Sequence, residues 1–259
     1  MNHAIINDDP VPGAGDALAP GVSEIVVEPL YQQVATRIRE LIYAGRLPAG
    51  AWIDELGLAK SFGLSRTPLR EALKVLEKEG LVRNVPRQGS FVTELSVADL
   101  EELFPIMAML EARCALEATR KASDADIRGL EAIHAELERC AAAGDAVGYY
   151  ATNDRFHMRL EELSGNRWLQ RVTSELRRFL RLLRGRQLGV PGRRDESLAE
   201  HRALMKAIKA RDAVRAERLM KDHLHAQEHS VETLFAAGHG TARSQAPAAR
   251  PAKGRKKRA

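Results

Sequence analysis

The sequence predicts a mainly α-helical chain, with a small N-terminal head of three helices and one β-hairpin and then an all-α antiparallel bundle. Three observations carry this. Apolar residues recur at three- and four-residue spacing over most of the chain. Aromatic residues make up only 5%, so the core rests on Leu, Ala, Val and Ile, a composition that suits helices. Strand-like sequence is confined to one short stretch, residues 81–94.

The chain has 259 residues, 44% of them hydrophobic and 29% charged, a composition typical of a folded globular protein. No run approaches the roughly 18 apolar residues of a membrane span. The opening residues lack the basic-then-apolar order of a secretory signal. Cys114 and Cys140 make no CxxC pair. Together these point to a reduced, cytoplasmic protein with no membrane partner. The net charge of +5 comes from the end of the chain, where residues 243–259 hold seven basic side chains and no acidic one. The rest carries 33 basic residues against 35 acidic, so a case for nucleic acid has to come from local pattern.

Residues 1–28, rich in Pro, Gly, Ala and Asp without periodicity, read as a disordered leader. A helix follows to about residue 44, with Leu30, Val34, Ile38, Leu41 and Ile42 at helical spacing. Gly45, Pro48 and Gly50 break it. Short helices over about 54–62 and 66–79 come next, then LVRNV and SFVTE around the turn PRQG. Beyond Ser96 the spacing predicts six amphipathic helices, over 97–121, 124–143, 145–164, 167–187, 194–210 and 212–236. The chain thus divides into a head at 29–95, a helical domain at 96–237 and a disordered basic tail at 238–259.

The two short helices meet at Phe62-Gly63-Leu64-Ser65, the punctuation of a helix-turn-helix. Ser65 or Thr67 can cap the second helix, and Pro68 falls in its first turn, where a missing N–H costs little. Leu69, Ala72, Leu73 and Leu76 make its inner face, while Arg66, Arg70 and Lys74 repeat every four residues on another. Arginines near the start of a recognition helix can reach guanine edges or phosphates. Ser65 and Thr67 hydroxyls suit phosphate oxygens. Arg87, Gln88 and Gly89 at the hairpin tip suit the neighbouring minor groove. A plain surface charge stripe is the competing reading of the arginines alone.

LSRTPLREALKVLEKEGLV and the following QGSFV resemble the winged helix-turn-helix of GntR-family transcriptional regulators, and LPAGAWIDELGLAKSFG resembles the stretch before it. The resemblance spans about residues 29–95. It implies that Ser65, Arg66, Arg70 and Gly89 contact DNA. Leu56 stands where some relatives carry an arginine that reads DNA. That leaves a base-specific contact from the preceding helix open and points to a different operator.

Asn153 and His157 lie four residues apart, on one helical face, and His201 and His223 fall on two later helices. Inside a bundle such a set can hold a transition metal, whereas a lone histidine is more often a surface or core residue. His225 and His229, also four apart, read as a surface pair. NDRFHMRLEELSGN, EHRALMKAIKARD and MKDHL resemble the FCD domain of the FadR subfamily, over about 99–232. The resemblance implies a metal held by Asn153, His157, His201 and His223, with Zn the first expectation and Ni or Fe alternatives. It also implies a small carboxylate effector. Met107 stands where relatives place an effector-binding arginine, so Arg113, Arg177 and Arg181 are the candidates to replace it.

The resulting expectation is a metabolite-responsive transcription factor, a repressor and not an enzyme, that binds a palindromic double-stranded operator as a homodimer. Two other readings compete with it. One is a metal-dependent hydrolase fused to a DNA-binding head, although the chain has no HExxH. The other is a nonspecific DNA-binding protein using the tail AARPAKGRKKRA.

Overall fold

A computed structural model describes residues 28–183 and 190–236. Within them the mainly α architecture expected from the sequence is found. Helix α1 (Leu30–Tyr43) lays Val34, Ala35, Ile38 and Ile42 against α3 (Arg66–Lys78). Leu30, expected on that face, is 49% exposed, since it begins the helix one turn before the contact. Between them α2 (Glu55–Ser61) is capped by Asp54, whose carboxylate accepts from the Leu56 N–H at 3.1 Å. The α3 residues Leu69, Ala72, Leu73 and Leu76 are buried, as their spacing predicts. Arg39 on α1 binds both carboxylate oxygens of Glu79 at the end of α3, at 3.0 and 2.8 Å.

Strands β1 (Val82–Val85) and β2 (Gly89–Val92) form one antiparallel hairpin, with Val85 opposite Gly89 across a three-residue loop. Trp52 pairs with Phe91, which fastens the hairpin to the segment before α2.

The bundle runs through α4 (Val97–Lys121), α5 (Asp124–Ala142), α6 (Ala146–Leu163), α7 (Arg167–Leu182), α8 (Arg193–Lys209) and α9 (Ala213–Ala236). Helices α4 and α5 open on capping boxes, Ser96 with Asp99 and Ser123 with Asp126. Asp145 and Asn166 cap α6 and α7. Helix α4 lies along α9 and also touches α6 and α7, while α5 packs on α6 and α8. Phe104, Met107, Phe156, Leu160, Met220 and Leu224 sit at the centre. The sequence suggested that α7 runs to 187, but it ends at Leu182. Residues 184–189, the leader up to residue 27 and the basic tail lie outside the described residues. No described helix is long and apolar enough to cross a membrane. Cys114 and Cys140 are free, and burial pushes the Cys114 thiol up to about 12.

Head and bundle meet at the C-terminal end of α7. Leu182 packs on the head's core, and the Arg181 guanidinium lies 5.8 Å from the centre of the Tyr43 ring. Phe179 presses on Gly80, where φ is +74° and a Cβ would come within 2.6 Å of the ring. A side chain is strained there by backbone and neighbour alike. Gly80→Ala should therefore lower stability by about 1–2 kcal/mol. Adding Phe179→Leu should recover part of the loss, and urea denaturation of the single and double variants measures both.

Candidate DNA interface and metal centre

Ser65 is the N-cap residue of α3, in extended conformation, and its hydroxyl makes no cap bond. The side chains of Ser65, Arg66, Thr67, Arg70 and Lys74 are exposed along the start and one face of that helix. At the wing tip Arg87 adopts a positive φ of 66°, uncommon for a residue with a Cβ, and Arg87 and Gln88 are exposed. Gly89 backs onto Trp52, whose indole nitrogen would lie 3.0 Å from a Cβ. Two clefts run between α3 and the wing, and both are lined by Arg70, Arg87 and Gly89. Arg66 and Gln88 line one of them and Lys74 the other, and Glu55 lines both. The helix start and the hairpin tip thus bring Arg66, Arg70, Lys74 and Arg87 to one side of the head, with Glu55 among them.

Two residues in this face were not singled out from the sequence. Glu55, on α2, sits 3.0 Å from Arg70 Nε and 3.8 Å from Arg66, and so gathers both guanidinium groups. Trp52 supports the wing from beneath. In the sequence Glu55 is only an acidic residue in a helical first turn, and Trp52 only an aromatic residue in a loop.

In the bundle, α6, α8 and α9 bring His157, His201 and His223 together, with one ligand atom from each within 4.8 Å of the others. Ring centres lie 4.8–5.3 Å apart, and all three side chains are buried. Asn153, one turn before His157, has a buried carbonyl oxygen with no hydrogen-bond partner. His157 Nε2 and both nitrogens of His201 are likewise buried and unpartnered. Buried lone pairs without partners are costly, and a cation satisfies several at once. Three imidazole nitrogens so gathered suit a divalent transition metal.

Two of the histidines are held from behind by charged pairs. His157 Nδ1 lies 2.6 Å from Glu111 on α4. Glu111 in turn pairs with Arg177, whose Nε reaches Glu161 at 2.8 Å. His223 Nδ1 lies 2.6 Å from Glu200, which Arg193 grips through both oxygens at 2.7 and 2.8 Å. Carboxylates at both Nδ1 positions hold the ring proton there and leave Nε2 of each ring as the lone pair. Gln227 Nε2 donates to His223 Nε2 at 2.6 Å, so a cation at that nitrogen has to displace this amide. Burial drives His157 and His201 well below the usual imidazole value, and nearby positive groups add to the effect. Burial also pushes Glu111 and Glu161 up, and the Arg177 guanidinium pulls both back. Burial works against the charge of Glu200, but its bonds to His223 and Arg193 prevail and hold it low.

The three arginines named for effector binding fall in different places. Arg113 is exposed on α4 and pairs with Glu117 one turn on, away from the histidines. The helical phase decides this, because Arg113 follows the inward Glu111 by two residues and faces the other way. Arg177 is buried beside the site, but Glu111 and Glu161 already engage it. Arg181 is half-buried, 3.3 Å from Asp154. His225 and His229 lie outward, near Glu228 and Glu232. Glu161 follows His157 by four residues on the same helical face, a signal that could have found it, whereas Glu111, Glu200 and Arg193 lie on other helices than His157 and carry no spacing that ties them to it.

A helix-turn-helix with a hairpin wing, joined to a helical domain that holds a buried histidine cluster, is the build of a DNA-binding regulator. The comparisons agree. Residues 30–92 match the model of bacterial regulatory proteins of the gntR family, and residues 102–226 match the FCD domain. The chain is 30% identical over 208 residues to the uncharacterised HTH-type transcriptional regulator YdhC of Bacillus subtilis, covering 80% of this chain and 93% of that protein. It is also 30% identical over 202 residues to a probable D-xylose utilization operon transcriptional repressor of Paenarthrobacter nicotinovorans, covering 74% and 86%. Among solved structures, E. coli McbR/YncC has the same fold, with a TM-score of 0.71 at 21% identity over 82% of this chain and all of that one. The chain belongs to the GntR family of transcriptional regulators and carries an FCD domain. It is a DNA-binding regulator of transcription and not an enzyme.

Two outcomes follow for the histidine cluster. Glu200→Gln should weaken metal affinity about 10–100-fold by loosening His223, while Arg113→Ala leaves it unchanged; competition against a chromophoric chelator measures both. In chelator-treated protein the depressed His157 and His201 make stability fall as pH drops below 6.5. There the unfolded imidazoles take up protons and the buried ones do not. Each residue contributes a slope of about 1.4 kcal/mol per pH unit, and urea midpoints between pH 7.5 and 5.5 read it.

Proposed function

We propose that this regulator is a homodimeric repressor whose operator affinity is lowered by a small carboxylate bound at a metal in the helical domain. The observation that carries the reading is the set of buried, unpartnered donor atoms on Asn153, His157 and His201, joined by His223, in the middle of the bundle. A Zn ion, or Ni or Fe, held there supplies a positive centre for an anionic ligand, and the neutral Asn153 leaves more of that charge available than a carboxylate does.

The proposed DNA contacts are Arg66 and Arg70 to base edges or phosphates, Ser65, Thr67 and Lys74 to phosphates, and Arg87, Gln88 and Gly89 in the adjoining minor groove. Dimerisation is supported by apolar side chains left exposed on two adjacent helices, Ile106 and Met109 on α4 and Trp168 and Val172 on α7. Two heads so joined match a palindromic operator. Helix α7 is the route between the sites. Arg177 reaches the carboxylate behind His157, and Phe179, Arg181 and Leu182 lie against the head. A ligand that prefers one placement of α7 shifts the balance of head positions.

A mobility-shift titration on operator DNA, with metal-loaded protein and a panel of small carboxylates, tests the reading. One class of acid should weaken binding at least tenfold, and the effect should disappear in His157→Ala. If no acid changes operator affinity, the sensory role is lost while DNA binding stands.

A further inference from the structure

Leucine 56 has no structural task that its position explains. Its side chain is 68% exposed, and among the described residues only Val147 is a more exposed large apolar side chain. It does not lie on a bland surface. It lines a cleft of about 370 Å³ whose walls include Trp52, Glu55, Arg66, Arg70 and Arg87, on the side of the head described above. Its backbone is fixed, because the Leu56 N–H donates to the Asp54 carboxylate that caps α2. Glu55, the residue before it, turns to Arg66 and Arg70. One helical turn therefore draws two arginines to one side and holds an uncharged, branched apolar group out in the open.

A leucine in water gains nothing, and one among phosphates makes no hydrogen bond. The edges of the base pairs offer it a single apolar partner in the major groove, the 5-methyl group of thymine. At a G·C pair in either orientation, or over adenine, the same side chain covers polar edge atoms that it cannot satisfy. We propose that Leu56 is a specificity residue that packs on a thymine methyl in each half-site, beside the bases or phosphates reached by Arg66 and Arg70. The inference rests on the DNA-facing reading of the head given above. Glu55 acts with it as a positioning residue. Holding Arg70 at 3.0 Å and Arg66 at 3.8 Å, it sets where the guanidinium groups stand relative to the leucine.

The test begins by selecting binding sites from a random duplex library with the full-length protein, in parallel for wild type, Leu56→Ala and Leu56→Arg. The best wild-type site is then synthesised with each thymine in turn replaced by deoxyuridine, which removes only the methyl group. At one thymine per half-site the replacement should weaken wild-type binding about fourfold, the scale of one buried methyl-sized group. Leu56→Ala should bind the two duplexes equally. Leu56→Arg should select guanine at that position, since arginine pairs with its O6 and N7. Because Leu56 is exposed, the variants keep the fold, and the deoxyuridine arm does not alter the protein at all. The proposal is overturned if wild type selects a defined site in which no thymine methyl matters, or if Leu56→Ala keeps the same methyl sensitivity. It is also overturned if Leu56→Ala changes only the oligomeric state, which would mark the leucine as a protein contact. If no sequence is enriched by any of the three proteins, the DNA-facing reading of the head itself fails, a result distinguishable from a selected but methyl-insensitive site.

Discussion

Arg177 lies between Glu111 and Glu161 inside the bundle, and the chemistry of the interior depends on that guanidinium. A carboxylate buried alone loses several kcal/mol of hydration and tends to take a proton. Paired with Arg177, Glu111 can stay an acceptor and hold the Nδ1 proton of His157. Nε2 is then the lone-pair nitrogen, buried and without a partner. The same construction recurs on the other side, where Arg193 clamps Glu200 and Glu200 holds His223. Two of the three imidazoles thus have their tautomer set by an arginine-held carboxylate, whereas His201 rests edge-on against Phe156, 4.8 Å away. These buried pairs are weak contributors to stability. Their effect is on orientation.

The same helix that carries Arg177 inward carries Phe179, Arg181 and Leu182 to the head within the next turn and a half. Arg181 touches the Tyr43 ring on one side and Asp154, next to Asn153, on the other. The head therefore rests on the helix whose Arg177 holds the carboxylate behind His157. The contact is specific as well as small, because Phe179 fits only over a residue without a Cβ.

Much of this was legible in the sequence, for reasons that differ from element to element. The helices of the head and bundle were read to within a few residues, because Ser96, Ser123, Asp145 and Asn166 are strong start signals and the apolar spacing between them is unbroken. Asn153 and His157 could be placed on one face by their spacing alone. The meeting of His157 with His201 and His223 was expected from a family resemblance and not from spacing, since the three helices approach one another through packing that no local pattern encodes. Arg113 shows the limit from the other side. It is close to Glu111 in sequence, yet it faces solvent, because two residues along a helix turn a side chain by some 200°.

By itself the sequence determined which segments are helical and where the two short helices and the hairpin lie. Those properties follow from spacing, capping and turn chemistry, all acting over a few residues. The tertiary structure alone decided that Glu111 and Glu200 stand behind the histidines, that Glu55 gathers Arg66 and Arg70, and that α7 touches both the carboxylate behind His157 and the head. Each of these joins residues that separate helices bring together. Their partners are chosen by the desolvation cost of a buried charge and by the shape of the facing helix, and neither is written in any short stretch of chain.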